Sequence, residues 1–380
     1  MKEIIAWFHT NKNKIANILF YTALSIELFL MMLGHSALEI PYRGRLTHVA
    51  FVLFGCKVLL TKYTKKEWLA IFLLGIIGTI SYVTVDDEWV LRIVMLVIAS
   101  KGMQLKQAAK YIFWVSLAGT AMIMVLSLFG IGGMLVDVRD YGRGDIESRW
   151  CFGFSHANNV HGTIWYVLSL GLFVYLHKTK WYHYLIFTIG NIGLYLLTLS
   201  RGGLIVVQLV IVAALLYRYY PRIAEWKWIY YVGVLGTVFC AGIGIYVTVF
   251  GIFGQKCLEK LNILLTRRLE MVAGYEKMEY WKLFGTVRER KPTDIGFITV
   301  LAEYGYAILA FYLICILFLI RYYCKNQKWM EFVLLMTCVF YTFMESTYTI
   351  NVYLLCNFTF VLLIGTWNHL FTKGRENESV

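Results

Sequence analysis

Three prolines occur in 380 residues, and only 16% of the residues are charged. Soluble domains carry about 25% charge, so an ordinary water-facing surface is excluded. The cysteines form no C-x-x-C pair and have no histidine at zinc-ligand spacing, which removes zinc ribbons and thioredoxin-type centres. No P-loop, no G-x-G-x-x-G and no H-x-x-x-H pair is present. Phosphate-loop NTPases, dinucleotide folds and helical zinc proteases are therefore excluded. Membrane β-barrels need alternating segments of about ten residues, and the apolar stretches here are continuous instead.

What is present is apolar. Hydrophobic residues are 59% of the chain and aromatic ones 17%. Trp228–Gln255 runs 28 residues without Asp, Glu, Lys or Arg, Tyr111–Val136 runs 26, and Ser346–Thr372 runs 27. A helix needs about 20 such residues to cross a bilayer, and helices satisfy their own backbone groups in lipid. The expected fold class is therefore an all-α polytopic membrane protein, a single integral membrane domain over 1–380. Twelve spans are read at 15–33, 46–61, 67–84, 88–100, 108–130, 159–177, 181–199, 202–220, 228–250, 297–320, 330–345 and 351–370. The start, MKEIIAWFHTNKNK, is basic and has no small-residue cleavage site behind its apolar run, so the first span reads as retained. Cys56, Cys240, Cys315, Cys338 and Cys356 lie in apolar runs as packing residues, while Cys151 and Cys257 fall in loops and leave a disulfide open.

Charge sets the expected orientation. With the N-terminus cytoplasmic, the inner segments hold 19 Lys+Arg and the outer ones 15, of which 9 lie in the long loop 251–296. Long loops count little in the positive-inside rule, so both termini are placed inside. The inner cations are 15 Lys and 4 Arg, whereas the outer ones are 5 Lys and 10 Arg. Arginine presents a flat fork that matches phosphate oxygens and keeps its charge. An arginine-rich outer face therefore points to an anionic, phosphate-bearing ligand. The plainer alternative pairs these arginines with outer acids. It is weakest for Arg201 in LTLSRGGLIV, which has no acid near it in sequence. The net charge of +13 is divided between two sides of a membrane and does not indicate nucleic acid.

Three outer stretches carry chemistry. In RDYGRGDIESRWCFGFSHANNVHG, residues 139–162, His156, Asn158, Asn159 and His161 gather at a helix start, with Asn158 able to cap it. Free N–H groups there attract anions, and a histidine there is a candidate base. A simple polar cap is the alternative. At Arg201, two spans meet with almost no loop, and Gly202 and Gly203 allow close backbone approach. Arg201 is thus held on rigid elements, or alternatively snorkels to the surface. In loop 251–296, apolar residues at 258, 261, 264, 265, 269 and 272 have helical spacing. This predicts an amphipathic surface helix with Arg267 and Arg268 aimed at a ligand or at lipid headgroups.

GFSHANNVHG, TLSRGG, LNILLTRRLE, LFG, DIGFITVLAEYG and ESTYTINVYLLCNF, in this order, resemble the O-antigen polymerase/ligase superfamily. The similarity is to Wzy-type polymerases of Gram-positive capsule and exopolysaccharide clusters and covers roughly residues 110–370. Ala157 stands where the family often has proline, and Arg267 where the arginine-bearing motif often has glycine, so Arg268 is preferred as the family's arginine. The resemblance implies a membrane glycosyltransferase acting on undecaprenyl-diphosphate-linked oligosaccharide repeat units at the outer face of the cytoplasmic membrane. A chain-length regulator and a flippase are the implied protein partners. A sugar hydroxyl of one unit attacks the anomeric carbon of another, and the lipid diphosphate leaves. Fixed cations must meet the charge that grows there, and a base must take the proton. Arg201 and Arg268 are the expected diphosphate contacts, with Arg149, Arg267, Arg288 and Arg290 as further substrate contacts. His156 is the expected base or hydroxyl-positioning group, Asp294 and Glu303 its rivals, and Asn158 and Asn159 substrate ligands. No carboxylate cluster suits magnesium, so a metal-independent reaction without cofactors is expected.

A ligase of the same superfamily would pass finished polymer to another acceptor, and the sequence separates it poorly from a polymerase. A transporter or flippase would show repeated halves and ionisable groups near the midplane. No internal repeat is evident, and Glu27, Lys57 and Arg92 are the only charges well inside the early spans, where they can pair with one another.

Overall fold

The computed structural model describes residues 2–38, 42–140, 146–252, 254–265, 267–273, 281–286 and 294–346. Among the described residues, nine α-helices stand before the long loop: α1 (Lys2–His35), α2 (Arg43–Leu60), α3 (Lys65–Val85), α4 (Trp89–Ala99), α5 (Leu105–Leu128), α6 (Ala157–Tyr175), α7 (Trp181–Thr198), α8 (Arg201–Tyr219) and α9 (Lys227–Phe250). Then come α10 (Lys256–Leu264), α11 (Arg268–Ala273), α12 (Gly296–Tyr304), α13 (Tyr306–Lys325) and α14 (Trp329–Met344). The molecule is a helical, multi-pass membrane protein. Among the described residues, seven helices are long and apolar enough to cross a membrane: Asn11–His35, Lys65–Val85, Leu105–Leu128, Ala157–Lys178, Arg201–Tyr219, Lys227–Phe250 and Tyr306–Lys325. The expected twelfth span, 351–370, lies outside the described residues.

The helices do not share burial equally. In α6 61% of the spanning window is buried, against 11% in α3, so α6 is central and α3 faces lipid along most of its length. Lipid is as apolar as leucine, so close packing and interhelical polar contacts must hold such helices together. Trp165 of α6 stacks on Tyr341 of α14 with ring centroids 4.8 Å apart. His161, fully buried, places Nε2 2.9 Å from Asn191 Oδ1 and Nδ1 3.2 Å from Thr198 Oγ1. Asn191 Nδ2 in turn donates to Leu204 O at 3.0 Å and Gln208 Oε1 at 3.3 Å. These bonds tie α6, α7 and α8 into one unit. Gly203 makes the approach possible, since a Cβ there would sit 2.5 Å from the His161 ring. Gly203→Leu is expected to separate α8 from α6 and lower the melting temperature of detergent-purified protein by several degrees, whereas Gly190→Leu, at an open position, leaves it unchanged.

The structure departs from the sequence expectation in several places. The span expected over 297–320 is two helices, broken at Gly305 with φ 86° and ψ 172°. Such a backbone is essentially reserved for glycine. The segment 281–286 lies against this break: Gly285 N donates to Tyr304 O, and Tyr306 N donates to Lys282 O. The amphipathic helix of the long loop is two short ones, α10 and α11, which meet at Arg267 with φ 62°. An antiparallel hairpin, β1 (Val136–Asp140) and β2 (Ile146–Trp150), precedes α6 and was not expected. Cys151 and Cys257 are both free thiols, so the open disulfide is not formed. Finally, Lys57 does not join Glu27 and Arg92. Arg92 pairs with Glu27 inside the bundle, while Lys57 Nζ donates to the carbonyl of Lys101.

Candidate functional site

The polar residues singled out above collect where α6 and α8 begin and α14 ends. The loop before α6 is fastened to the end of α1: Ser155 N and Oγ both donate to His35 O, at 2.8 and 3.1 Å. His156, with extended backbone, is the N-cap of α6, and its Nδ1 accepts from Asn158 N at 3.1 Å. The cap is therefore His156 and not Asn158. The reason is geometric: Asn158 already sits inside the first turn, where its side chain is free to reach across to another helix.

That reach is to Glu345. Asn158 Nδ2 donates to Glu345 Oε1 at 2.8 Å, and Arg268 Nη2 donates to the same oxygen at 2.6 Å. Arg268 Nε lies 3.6 Å from Asp294 Oδ2. Four segments far apart in sequence, the starts of α6 and α11, the approach to α12 and the end of α14, thus converge on the Arg268–Glu345 pair. Its third nitrogen, Nη1, is buried and has no hydrogen-bond partner among the described residues. An arginine so enclosed is a strong donor with one arm left over. Burial works against the Arg268 charge, and the carboxylates of Glu345 and Asp294 outweigh it and raise its pKa.

Arg201 is the first residue of α8, exposed, and makes no ion pair among the described residues. The preceding Leu199 turns the chain with φ 53°. A Cβ on Gly202 would lie 3.2 Å from the Met344 side chain, and Met344 adjoins Glu345. Arg201 and Arg268 therefore belong to the same end of the bundle, one on an open surface and one enclosed.

The hairpin supplies two more cations, both with acid partners. Arg149, only 4% exposed, is held by Glu147, with Nε 2.8 Å from Oε2. Arg139 Nε lies 2.9 Å from Asp137 Oδ2. Arg149 is thus a buried member of an ion pair. Both cations still act on His156: its pKa is pushed down to about 4, chiefly by burial and also by Arg139 and Arg149, while Asp294 and Asp137 pull the other way. With Nδ1 accepting from the backbone, the neutral ring carries its proton on Nε2.

The remaining expected residues fall as follows. Asn159 Nδ2 donates to Ser155 Oγ at 2.9 Å and braces the cap. Arg267 is exposed. Glu303 lies near the far end of α12, roughly 10 Å along the helix from its start beside Asp294. Arg288 and Arg290 lie outside the described residues. Glu345 was missing from the expected site set although ESTYTIN had been singled out. The signal was a lone acid closing an apolar run, a position that in lipid demands a partner. No three His, Cys, Asp or Glu side chains among the described residues stand close enough to share a metal ion.

The fold and this cluster define a multi-pass helical membrane protein with a partly enclosed cluster of charged and polar side chains at one end of its bundle. No protein-family model, curated protein or solved structure matches the chain.

Proposed function

We propose that the protein is a polysaccharide polymerase of the Wzy type, joining undecaprenyl-diphosphate-linked repeat units at the outer face of the cytoplasmic membrane. In this reading the chain spans the membrane twelve times, both termini are cytoplasmic and the Arg268 cluster faces outward. The observation that carries it is the pair of unlike arginines at one end of the bundle: Arg268, partly enclosed with a buried Nη1 that is unpartnered among the described residues, and Arg201, exposed and unpaired among them. A diphosphate leaving group needs fixed donors where its charge grows. Its lipid tail would lie along the apolar helices. Asp294, beside Arg268 and more exposed than Glu345, is the carboxylate that accepts the proton of the attacking sugar hydroxyl. His156, neutral and protonated at Nε2, positions that hydroxyl or a phosphate oxygen by donating a hydrogen bond.

The test is the size ladder of lipid-linked and surface polysaccharide in a deletion strain carrying the native chain or Arg201→Ala. The expected result is long chains with the native protein and single repeat units on lipid with the variant. Long chains that stay on lipid in the variant would make the protein a ligase. Single units confined to the inner leaflet would make it a flippase.

The His156 environment yields a pH prediction. Its folded pKa of about 4 lies below the ordinary value of 6.5. The ring binds fewer protons folded than unfolded between those values, so its contribution to stability is full above about pH 6.5 and is lost as pH falls towards 4. Turnover measured on lipid-linked repeat units should show no step between pH 6 and 8 that His156→Gln removes. A histidine acting as base with an ordinary pKa would give such a step.

A further inference from the structure

At the end of the bundle opposite the Arg268 cluster, α9 and α13 leave a groove of about 790 Å³ between them. The ends are opposite because α9 reaches the cluster side at its C-terminal half, where Gly244 packs on Ile295 and Ile298 beside Asp294, and the groove lies at its start. The polarity of the walls is ordered. Lys227 is the first residue of α9 and Val234 stands two turns deeper. Lys325 is the last residue of α13, Arg321 one turn before it, and Leu317 and Ile320 deeper still. Cations therefore rim the mouth, and apolar side chains line the part about 10 Å further along the helices. One acid, Glu225, shares the rim. None of Lys227, Arg321 and Lys325 makes an ion pair among the described residues.

We propose that this groove binds an anionic glycerophospholipid. Its phosphate would sit among the three cations and an acyl chain would lie along Val234, Leu317 and Ile320. The order of charge and apolar surface along the groove is that of the lipid itself, and basic pockets between membrane helices bind anionic headgroups. Ordinary lysines that only orient the protein need no groove beneath them.

The test is native mass spectrometry of the full chain, purified in detergent and offered equal amounts of phosphatidylglycerol and phosphatidylcholine with identical acyl chains. The native chain is expected to retain phosphatidylglycerol preferentially. Each basic side chain near an anionic headgroup contributes a factor of about five, so Lys227→Gln with Arg321→Gln lowers that retention by up to about 25-fold. Lys65→Gln with Lys66→Gln, exposed at the same end, changes net charge equally and leaves retention unchanged. Val234→Trp fills the groove, keeps the charges and abolishes retention. Equal retention of both lipids by the native chain overturns the proposal. So does equal loss in the Lys65/Lys66 variant, or full retention in Val234→Trp. None of these results depends on whether the protein is a polymerase.

Discussion

Arg268→Lys is expected to lower the rate of polymer formation by about 10²–10³-fold, the usual cost of removing one preorganised donor from a developing oxyanion, while Arg267→Gly leaves it intact. The two residues are adjacent, and the structure treats them oppositely. Arg268 has one nitrogen on Glu345, a second near Asp294 and a third buried without a partner among the described residues. Lysine keeps the charge but is a point donor that cannot span these positions. Arg267 is exposed, with its backbone at φ 62°, a left-handed conformation that costs a non-glycine residue about 1–2 kcal/mol. Glycine removes that strain. The measurement is product length from purified protein and lipid-linked repeat units, with single-turnover rates for each variant. If Arg267→Gly and Arg268→Lys fail alike, the division of roles is wrong. If both work, the guanidinium at 268 holds structure alone and the diphosphate contact lies elsewhere.

The helices were legible because lipid-facing spans must be apolar without interruption, and such runs are visible without knowing any contact. Where a run was broken by backbone geometry, as at Gly305, composition gave no warning: both halves of the region are equally apolar. The hairpin was missed because its strands are short and charged: VDVR alternates in the manner of a strand, but IESRW has three polar residues in a row. The cluster itself could not be read as a cluster. Asn158, Arg268, Asp294 and Glu345 are joined only by contacts across as many as 187 positions of sequence, and no local pattern encodes such a meeting. The residue types were visible, because a charge bordering lipid requires a reason; the partners were not. At Arg149 the partner is local: Glu147, on the same strand, pairs with its guanidinium.

Removing one member of the Glu27–Arg92 pair should destabilise the protein strongly, and replacing both should not. Glu27 and Arg92 are 4% and 6% exposed and bonded directly to each other. Arg92 also lies over the Trp89 ring at 4.2 Å and 3.6 Å from Glu88. Breaking a buried pair from one side leaves an uncompensated charge and costs about 3–5 kcal/mol, whereas an apolar pair of similar volume is often neutral. Glu27→Leu alone should therefore lower the melting temperature in detergent and reduce the amount of folded protein in membranes. Glu27→Leu with Arg92→Met should recover both. The same double variant separates two functions. A transporter uses ionisable groups inside its bundle as part of the transport path, so replacing them with apolar residues would stop it even when the fold survives. An enzyme working at the bundle's end has no use for this pair beyond holding α1 against α4. Normal chain lengths from the folded double variant would place the chemistry at the Arg268 end. A folded double variant that makes no polymer, and leaves single units on the inner leaflet, would move the function into the bundle and overturn the polymerase reading.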